Sequence, residues 1–281
     1  MPVCSADGVE IYFETMGPAD GAPLLFIEGF TAQLIGWHDA FCALFVAKGM
    51  RVIRFDNRDV GLSQKLGGPR DLDAGYTISD MARDGIAVLD ALGIARAHVV
   101  GQSMGGMIAQ VMAIEHAARI ASLSLFYTAP AIEGYALAGA AEVDSLGRVQ
   151  PRLARAEAIA AAVDRERQSR SPGFAFDEAW ATTLATRSFD RCYAPDGVPR
   201  QLAAMLRHAS RAAELQALDL PVAILHGRDD ALLHVSGALD LAAWLPQSEV
   251  HLYAGMGHEL PRPLWPDFVA IVARTLARAS A

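Results

Sequence analysis

The chain is punctuated by short apolar runs, each followed by a glycine or a polar turn. Pro23-Leu24-Leu25-Phe26-Ile27 ends near Gly29, Arg51-Val52-Ile53-Arg54-Phe55 ends in Asp56-Asn57-Arg58-Asp59, and His98-Val99-Val100 runs into Gly101. Leu123-Ser124-Leu125-Phe126-Tyr127, Pro221-Val222-Ala223-Ile224-Leu225 and Glu249-Val250-His251-Leu252-Tyr253 continue the series. Short runs that are mostly apolar predict strands covered on both faces, as in a parallel sheet. Val9-Glu10-Ile11-Tyr12-Phe13-Glu14 instead alternates and follows Asp7-Gly8, which predicts a short hairpin at a sheet edge.

Helical spacing fills the gaps between these runs. A helix is expected over 37–48, stopped by Gly49. Thr77, with Asp80 three residues on, predicts an N-cap for a stripe of Ile78, Met81, Ile86, Val88, Leu89 and Leu92 that Gly93 ends. Met107, Ile108, Val111 and Met112 predict another helix, and 236–245 and 264–277 two more. Alternating strands and helices predict an α/β fold with a mostly parallel central sheet flanked by helices. Residues 130–201 break the alternation, being Ala-rich, helical in propensity and without a convincing strand. They predict a helical cap inserted between a first core segment, 1–129, and a second, 202–281.

Composition narrows the function. With 281 residues and 52% hydrophobic content the chain can bury a sizeable core. A formal net charge of −8 disfavours nucleic acid and anionic membranes as partners. No stretch reaches the ~18 apolar residues of a membrane span, and the first residues carry no secretory leader pattern. Three cysteines, odd in number and far apart, fit a reducing compartment. The expectation is a soluble cytoplasmic protein, monomer or homodimer, acting on a small molecule.

The chemistry gathers around Gly101-Gln102-Ser103-Met104-Gly105. A serine hydroxyl is a weak nucleophile that needs exposure, an adjacent base and donors for the oxyanion it creates. Small residues between a strand and a helix permit a tight turn that lifts Ser103 above the sheet, and the Met104 N–H opens the helix facing a developing negative charge. The base must be a histidine oriented by a carboxylate. His258, in Gly255-Met256-Gly257-His258-Glu259, follows the last expected strand. Asp229 and Asp230 follow the strand ending at Leu225; Asp230 is the better candidate for the carboxylate, with Asp229 left to cap or pair with a neighbour.

The order Ser103, Asp230, His258 is that of the α/β-hydrolases, which the chain resembles before residue 130 and after about 218. Arg54-Phe55-Asp56-Asn57-Arg58-Asp59-Val60-Gly61-Leu62-Ser63 resembles a segment shared by many bacterial esterases. Together with His98-Val99-Val100-Gly101-Gln102-Ser103-Met104-Gly105 and Gly255-Met256-Gly257-His258, it is similar to the aclacinomycin methylesterase group. The resemblance implies a cap-bearing serine hydrolase cleaving a carboxylic ester through an acyl-enzyme, with no metal and no cofactor. It also places the second oxyanion donor on the Phe30 N–H, after Gly29. One position departs from the pattern: Glu28 stands where such hydrolases often have histidine. It is expected to be a structural carboxylate satisfied by loop backbone donors, at the border of the substrate pocket.

The same three residues would also serve a lactonase, a cofactor-free perhydrolase or haloperoxidase, or a carbon–carbon bond hydrolase. A ligand-binding receptor could retain them too. Arg54, Asp56 and Arg58 are expected to form a turn network. Trp37, Trp180, Trp244 and Trp265 are expected to pack, with Trp180 the one placed to line a pocket under the cap. The remaining histidines share no metal-ligand spacing, and no Walker-type or dinucleotide fingerprint occurs.

Overall fold

The computed structural model describes residues 2–279. Met1, Ser280 and Ala281, at the ends of the two expected core segments, lie outside the described residues. In chain order the elements are β1 (Val3–Ala6), β2 (Val9–Met16), β3 (Ala22–Ile27), α1 (Asp39–Val46), β4 (Met50–Phe55), α2 (Ile78–Ala91), β5 (Ala97–Gln102), α3 (Met104–Glu115) and β6 (Ile120–Phe126). They continue with α4 (Ala140–Leu146), α5 (Arg155–Ser169), α6 (Glu178–Arg191), α7 (Gly197–Arg207), α8 (Ala212–Gln216), β7 (Val222–Gly227), α9 (Ser236–Trp244), β8 (Ser248–Tyr253) and α10 (Trp265–Arg278).

One sheet of eight strands runs in the order β1-β2-β4-β3-β5-β6-β7-β8. The β1–β2 and β2–β4 pairs are antiparallel, and every later pair is parallel. The expected hairpin is the antiparallel end of the sheet, turned by Asp7 and Gly8 at φ 50° and 84°. Leu24, Leu25, Phe26 and Ile27 on β3 are inaccessible, as an apolar strand covered on both faces requires. One face packs on α2 and α3 through Met81, Val88, Leu89, Met104, Ile108 and Met112. The other packs on α1 and α10 through Phe41, Phe45, Phe268, Ile271 and Val272.

Thr77 caps α2 as expected, in a capping box closed by Asp80. The helix expected over 37–48 begins later, at Asp39. His38 Nδ1 accepts the Ala40 N–H as the cap, and the Trp37 ring is instead inserted in the core, 4.6 Å from Phe26 between ring centroids. Between β6 and β7 the chain is helical, from α4 to α8. There is no break at Gln201, where the sequence reading ends the insertion; α7 runs on to Arg207. Its buried face explains the continuity. Arg200 pairs with Asp59 at 2.7 Å with both side chains inaccessible, and Gln201 Nε2 donates to the Arg58 carbonyl at 2.9 Å. The helix that leaves the insertion is therefore anchored to the loop after β4. Nearby, Arg191 of α6 reaches Asp56 at 2.7 Å.

Candidate active site

Parallel strands deliver their following loops to one edge of the sheet, and backbone strain gathers there. Thr31, Asp59, Ser103 and Tyr127 have φ of 62°, 70°, 54° and 34°, following β3, β4, β5 and β6 in turn. Non-glycine residues at positive φ persist only where surrounding contacts hold them, and such strain clusters at functional sites. Ser103 sits at φ 54°, ψ −124°, between β5 and α3. Its N–H donates to the Phe126 carbonyl at 3.0 Å, and its own carbonyl accepts the Thr128 hydroxyl at 2.7 Å. The turn has no room for side chains beside it. A Cβ added at Gly101 would lie 2.3 Å from the Gly105 carbonyl oxygen, and one at Gly105 would lie 2.2 Å from that of Ile27.

Asp230 and His258 meet above the ends of β7 and β8. His258 Nδ1 lies 2.7 Å from Asp230 Oδ2, and Asp230 Oδ1 accepts the Leu232 and Leu233 N–H groups at 2.8 and 2.9 Å. His226 Nε2, which the sequence reading left without a role, lies 3.4 Å from Asp230 Oδ2. Burial alone would push the Asp230 carboxyl up. The charge of His258 and hydrogen bonds from His226, His258 and the Leu233 amide outweigh it and hold the group well below the usual carboxylate range. Asp229 does what was expected of it: it accepts the Gly255 N–H at 2.7 Å. Of two adjacent carboxylates, one faces the histidine and the other ties down its loop.

The His258 loop is braced from the insertion. His258 N–H donates to the Ser169 carbonyl at the end of α5 at 3.0 Å, and Gly257 N–H to Ser171 Oγ at 2.9 Å. The Tyr127 ring packs on the His258 ring at 4.6 Å between centroids. With Nδ1 committed to Asp230, His258 Nε2 is the ring nitrogen left over. Among the described residues neither it nor Ser103 Oγ has a hydrogen-bond partner. Their mutual bond is not formed.

Gly29 lies directly against the serine; a Cβ added to it would be 3.2 Å from Ser103 Cβ. The Phe30 N–H, one residue after Gly29, and the Met104 N–H, one residue after Ser103, have no acceptor among the described residues. Glu28 is fully buried, yet only partly satisfied by backbone. Its Oε2 accepts the Gly29 N–H at 3.1 Å and Gln102 Nε2 at 2.5 Å, while Oε1 has no partner. Burial pushes its carboxyl up from 4.5 to about 7, against the lowering pull of Gln102 and of the Gly29 and Trp37 backbone amides. Gln102 Oε1 in turn accepts the Tyr127 hydroxyl. Sequence reasoning missed this chain of Glu28, Gln102 and Tyr127, because nothing in the spacing of three separate segments announces it.

Trp180 is not brought to this group. Its ring lies 3.9 Å from the His38 ring, with Trp265 on the other side of His38 at 5.1 Å. α6 turns that face toward the start of α1, so Trp180 packs there rather than lining a pocket over Ser103. The expected turn network of Arg54, Asp56 and Arg58 does not close on itself, because each is taken by a different neighbour: Asp56 accepts the Leu34 and Leu62 N–H groups, Arg58 grips Asp84 with two bonds of 2.7 Å, and Arg54 pairs with Glu14 and Asp39. Among the described residues no cluster of three or more His, Cys, Asp or Glu side chains could hold a metal ion, and no helix is long and apolar enough to cross a membrane.

Residues 22–261 match the family model described as alpha/beta hydrolase fold. A Variovorax paradoxus protein, provisionally named carbamate hydrolase RutD, is 32% identical over 88% of this chain and 89% of its own. The rhodomycin D methylesterase of Streptomyces peucetius is 29% identical over 96% of each chain, in keeping with the methylesterase resemblance of the motifs. Among solved structures, the enol-lactonase from Burkholderia xenovorans LB400 superposes with a TM-score of 0.77 at 21% identity, over 98% of this chain and 100% of that one.

Proposed function

The chain belongs to the α/β-hydrolase fold family, and on that premise we propose that it is a serine hydrolase cleaving a small carboxylic ester. Ser103 is the nucleophile, His258 the base, Asp230 its orienting carboxylate, and the Phe30 and Met104 N–H groups bind the oxyanion. The observation that carries this reading is the 2.7 Å contact of His258 Nδ1 with the low-lying Asp230 carboxylate, on the same sheet edge as the strained Ser103. That contact fixes the histidine tautomer with its proton on Nδ1 and leaves Nε2 as the basic atom.

The reaction runs in two halves. Ser103 Oγ attacks the ester carbonyl carbon while its proton passes to His258 Nε2. The tetrahedral oxyanion is held by the Phe30 and Met104 amides. The C–O bond to the alcohol breaks, and His258 returns the proton to the departing alkoxide. Water then gives a proton to His258 as it attacks the acyl-enzyme. The carboxylic acid leaves, and the proton goes back to Ser103 Oγ. Helices α4 to α7 serve as the cap that shapes the acyl and alcohol pockets and excludes water. The named activities of the relatives, on a carbamate and on a methyl ester, share the attack on an acyl carbon that this arrangement suits.

The test is turnover of p-nitrophenyl acetate by purified Ser103→Ala. The reading expects a folded protein with kcat lowered ~10⁴–10⁶-fold; near-normal turnover would remove Ser103 from the mechanism.

A further inference from the structure

The buried Glu28 carboxyl is bonded to the residues that precede the proposed oxyanion donors and nucleophile, Gly29 and Gln102, and the mechanism above gives it no task. Its two bonds lead to the two segments that carry the oxyanion donors. Through the Gly29 N–H it holds the Glu28–Gly29 peptide, one peptide before the Phe30 N–H, and through Gln102 Nε2 it holds the residue preceding Ser103. The amide of Gln102 has its orientation fixed from both sides, since a carboxyl oxygen can only accept from its nitrogen and the Tyr127 hydroxyl donates to its oxygen. Tyr127 then presents its ring to His258. The carboxyl is wedged against the backbone at Gly36, where an added Cβ would lie 2.6 Å from Oε1. Asn57 Nδ2 holds the Glu28 carbonyl at 3.0 Å.

We propose that Glu28 is a positioning residue for the acyl-transfer reaction, and that its ionisation slows turnover. Acting through Gly29 and Gln102, its neutral form holds the Phe30 and Met104 donors in place. Its ionised form sets an uncompensated negative charge behind the oxyanion those donors must stabilise. This inference rests on the reading of Ser103 as nucleophile.

The electrostatics agree with the geometry. Among the described residues a carboxylate here would have the Gly29 and Gln102 donors on Oε2, a smaller lowering pull from the Trp37 backbone amide, no hydrogen bond on Oε1 and no cation in contact. Among the described residues, the ionisable groups coupled to it include Tyr127 after β6, Cys42 on α1 and Glu166 on α5, none of which supplies positive charge. Arg54 on β4 spends its guanidinium on the Trp37 carbonyl, Glu14 and Asp39. Burial therefore leaves the carboxyl neutral on the acid side of about 7 and charged above it. A negative charge buried beside a developing oxyanion in a water-poor site opposes the transition state more than the ground state.

The experiment is the pH profile of kcat on p-nitrophenyl acetate, from pH 5 to 9, for the wild type, Glu28→Gln, Gln102→Leu and Ser103→Ala. The wild type should lose about tenfold in kcat across an alkaline limb. Glu28→Gln should lack that limb. Gln102→Leu removes a bond that favours the ionised carboxyl, so it should move the midpoint of the limb to higher pH. A residue that merely fills space would leave the midpoint where it is. A flat wild-type profile, an unchanged limb in Glu28→Gln, or an unmoved midpoint in Gln102→Leu overturns the proposal. Turnover by Ser103→Ala would instead overturn the nucleophile reading, so the two failures are distinguishable.

Discussion

His258 Nδ1 lies 2.7 Å from Asp230 Oδ2, while the adjacent Asp229 turns away to accept the Gly255 N–H at 2.7 Å. Neighbouring carboxylates thus have separable tasks. Asp230→Asn should lower kcat by about 10³–10⁴-fold, because an amide can no longer enforce the Nδ1–H tautomer or stabilise the charged ring. Asp229→Asn should change kcat by less than about threefold, its effect being on loop stability. Equal losses in steady-state assays of the two variants would contradict this division.

The serine turn depends on backbone crowding. Gly105→Ala brings a methyl to 2.2 Å from the Ile27 carbonyl oxygen, so β3 and α3 must separate. A loss of about 3 kcal/mol or more is expected in urea unfolding, at the upper end for overpacking. Gly8→Ala meets open space and has only its φ of 84° against it. It should cost about 1 kcal/mol. If Gly105→Ala proved as mild as Gly8→Ala, the described packing of β3 on the serine turn would be wrong.

Most of the frame was legible in the chain, for identifiable reasons. Apolar runs such as Leu24 to Ile27 can be read as buried strands because both faces of a parallel sheet are covered. Ser103, Asp230 and His258 could be nominated because each sits on its own turn after its own strand. What could not be read is contact between segments remote in sequence. Glu28 meets Gln102 across 74 positions, and the Gln102–Tyr127 bond spans 25. The boundary at Gln201 misses because α7 is one continuous helix whose buried face, with Arg200, answers to the loop after β4. Trp180 was read from its place in the expected cap, whereas its ring packs on His38 at the start of α1.

The Arg200–Asp59 pair tests how the insertion is held. Both side chains are inaccessible, and Arg200 also donates to the Gly68 and Asp71 carbonyls. Arg200→Met leaves Asp59 buried and unpaired, which should cost about 3–5 kcal/mol in denaturant unfolding. Adding Asp59→Leu should recover part of that loss, since the stranded charge goes with it. No recovery would mean that the pair itself is not what Arg200 supplies.

Glu28 also makes a stability prediction whose sign is fixed. Its carboxyl rises from 4.5 to about 7 on folding, so the native state binds the proton more tightly than the unfolded chain. That contribution is complete below the unfolded value near 4.5 and is lost as pH rises through about 7. At about 1.4 kcal/mol per pH unit the loss is of the order of 3 kcal/mol. Glu28→Gln cannot titrate, so relative to the wild type it should gain about that much stability between pH 4.5 and 8. Parallel stability curves for the two proteins would show that Glu28 does not titrate in this window.

The most direct test of the account is to map the covalent adduct. Incubation with a fluorophosphonate followed by peptide mass spectrometry should place a single adduct on the peptide containing Ser103. Ser103→Ala should prevent it, and Asp230→Asn should slow its formation. An adduct on another residue, or ester turnover that persists with Ser103 fully modified, would contradict the assignment of Ser103 as the nucleophile.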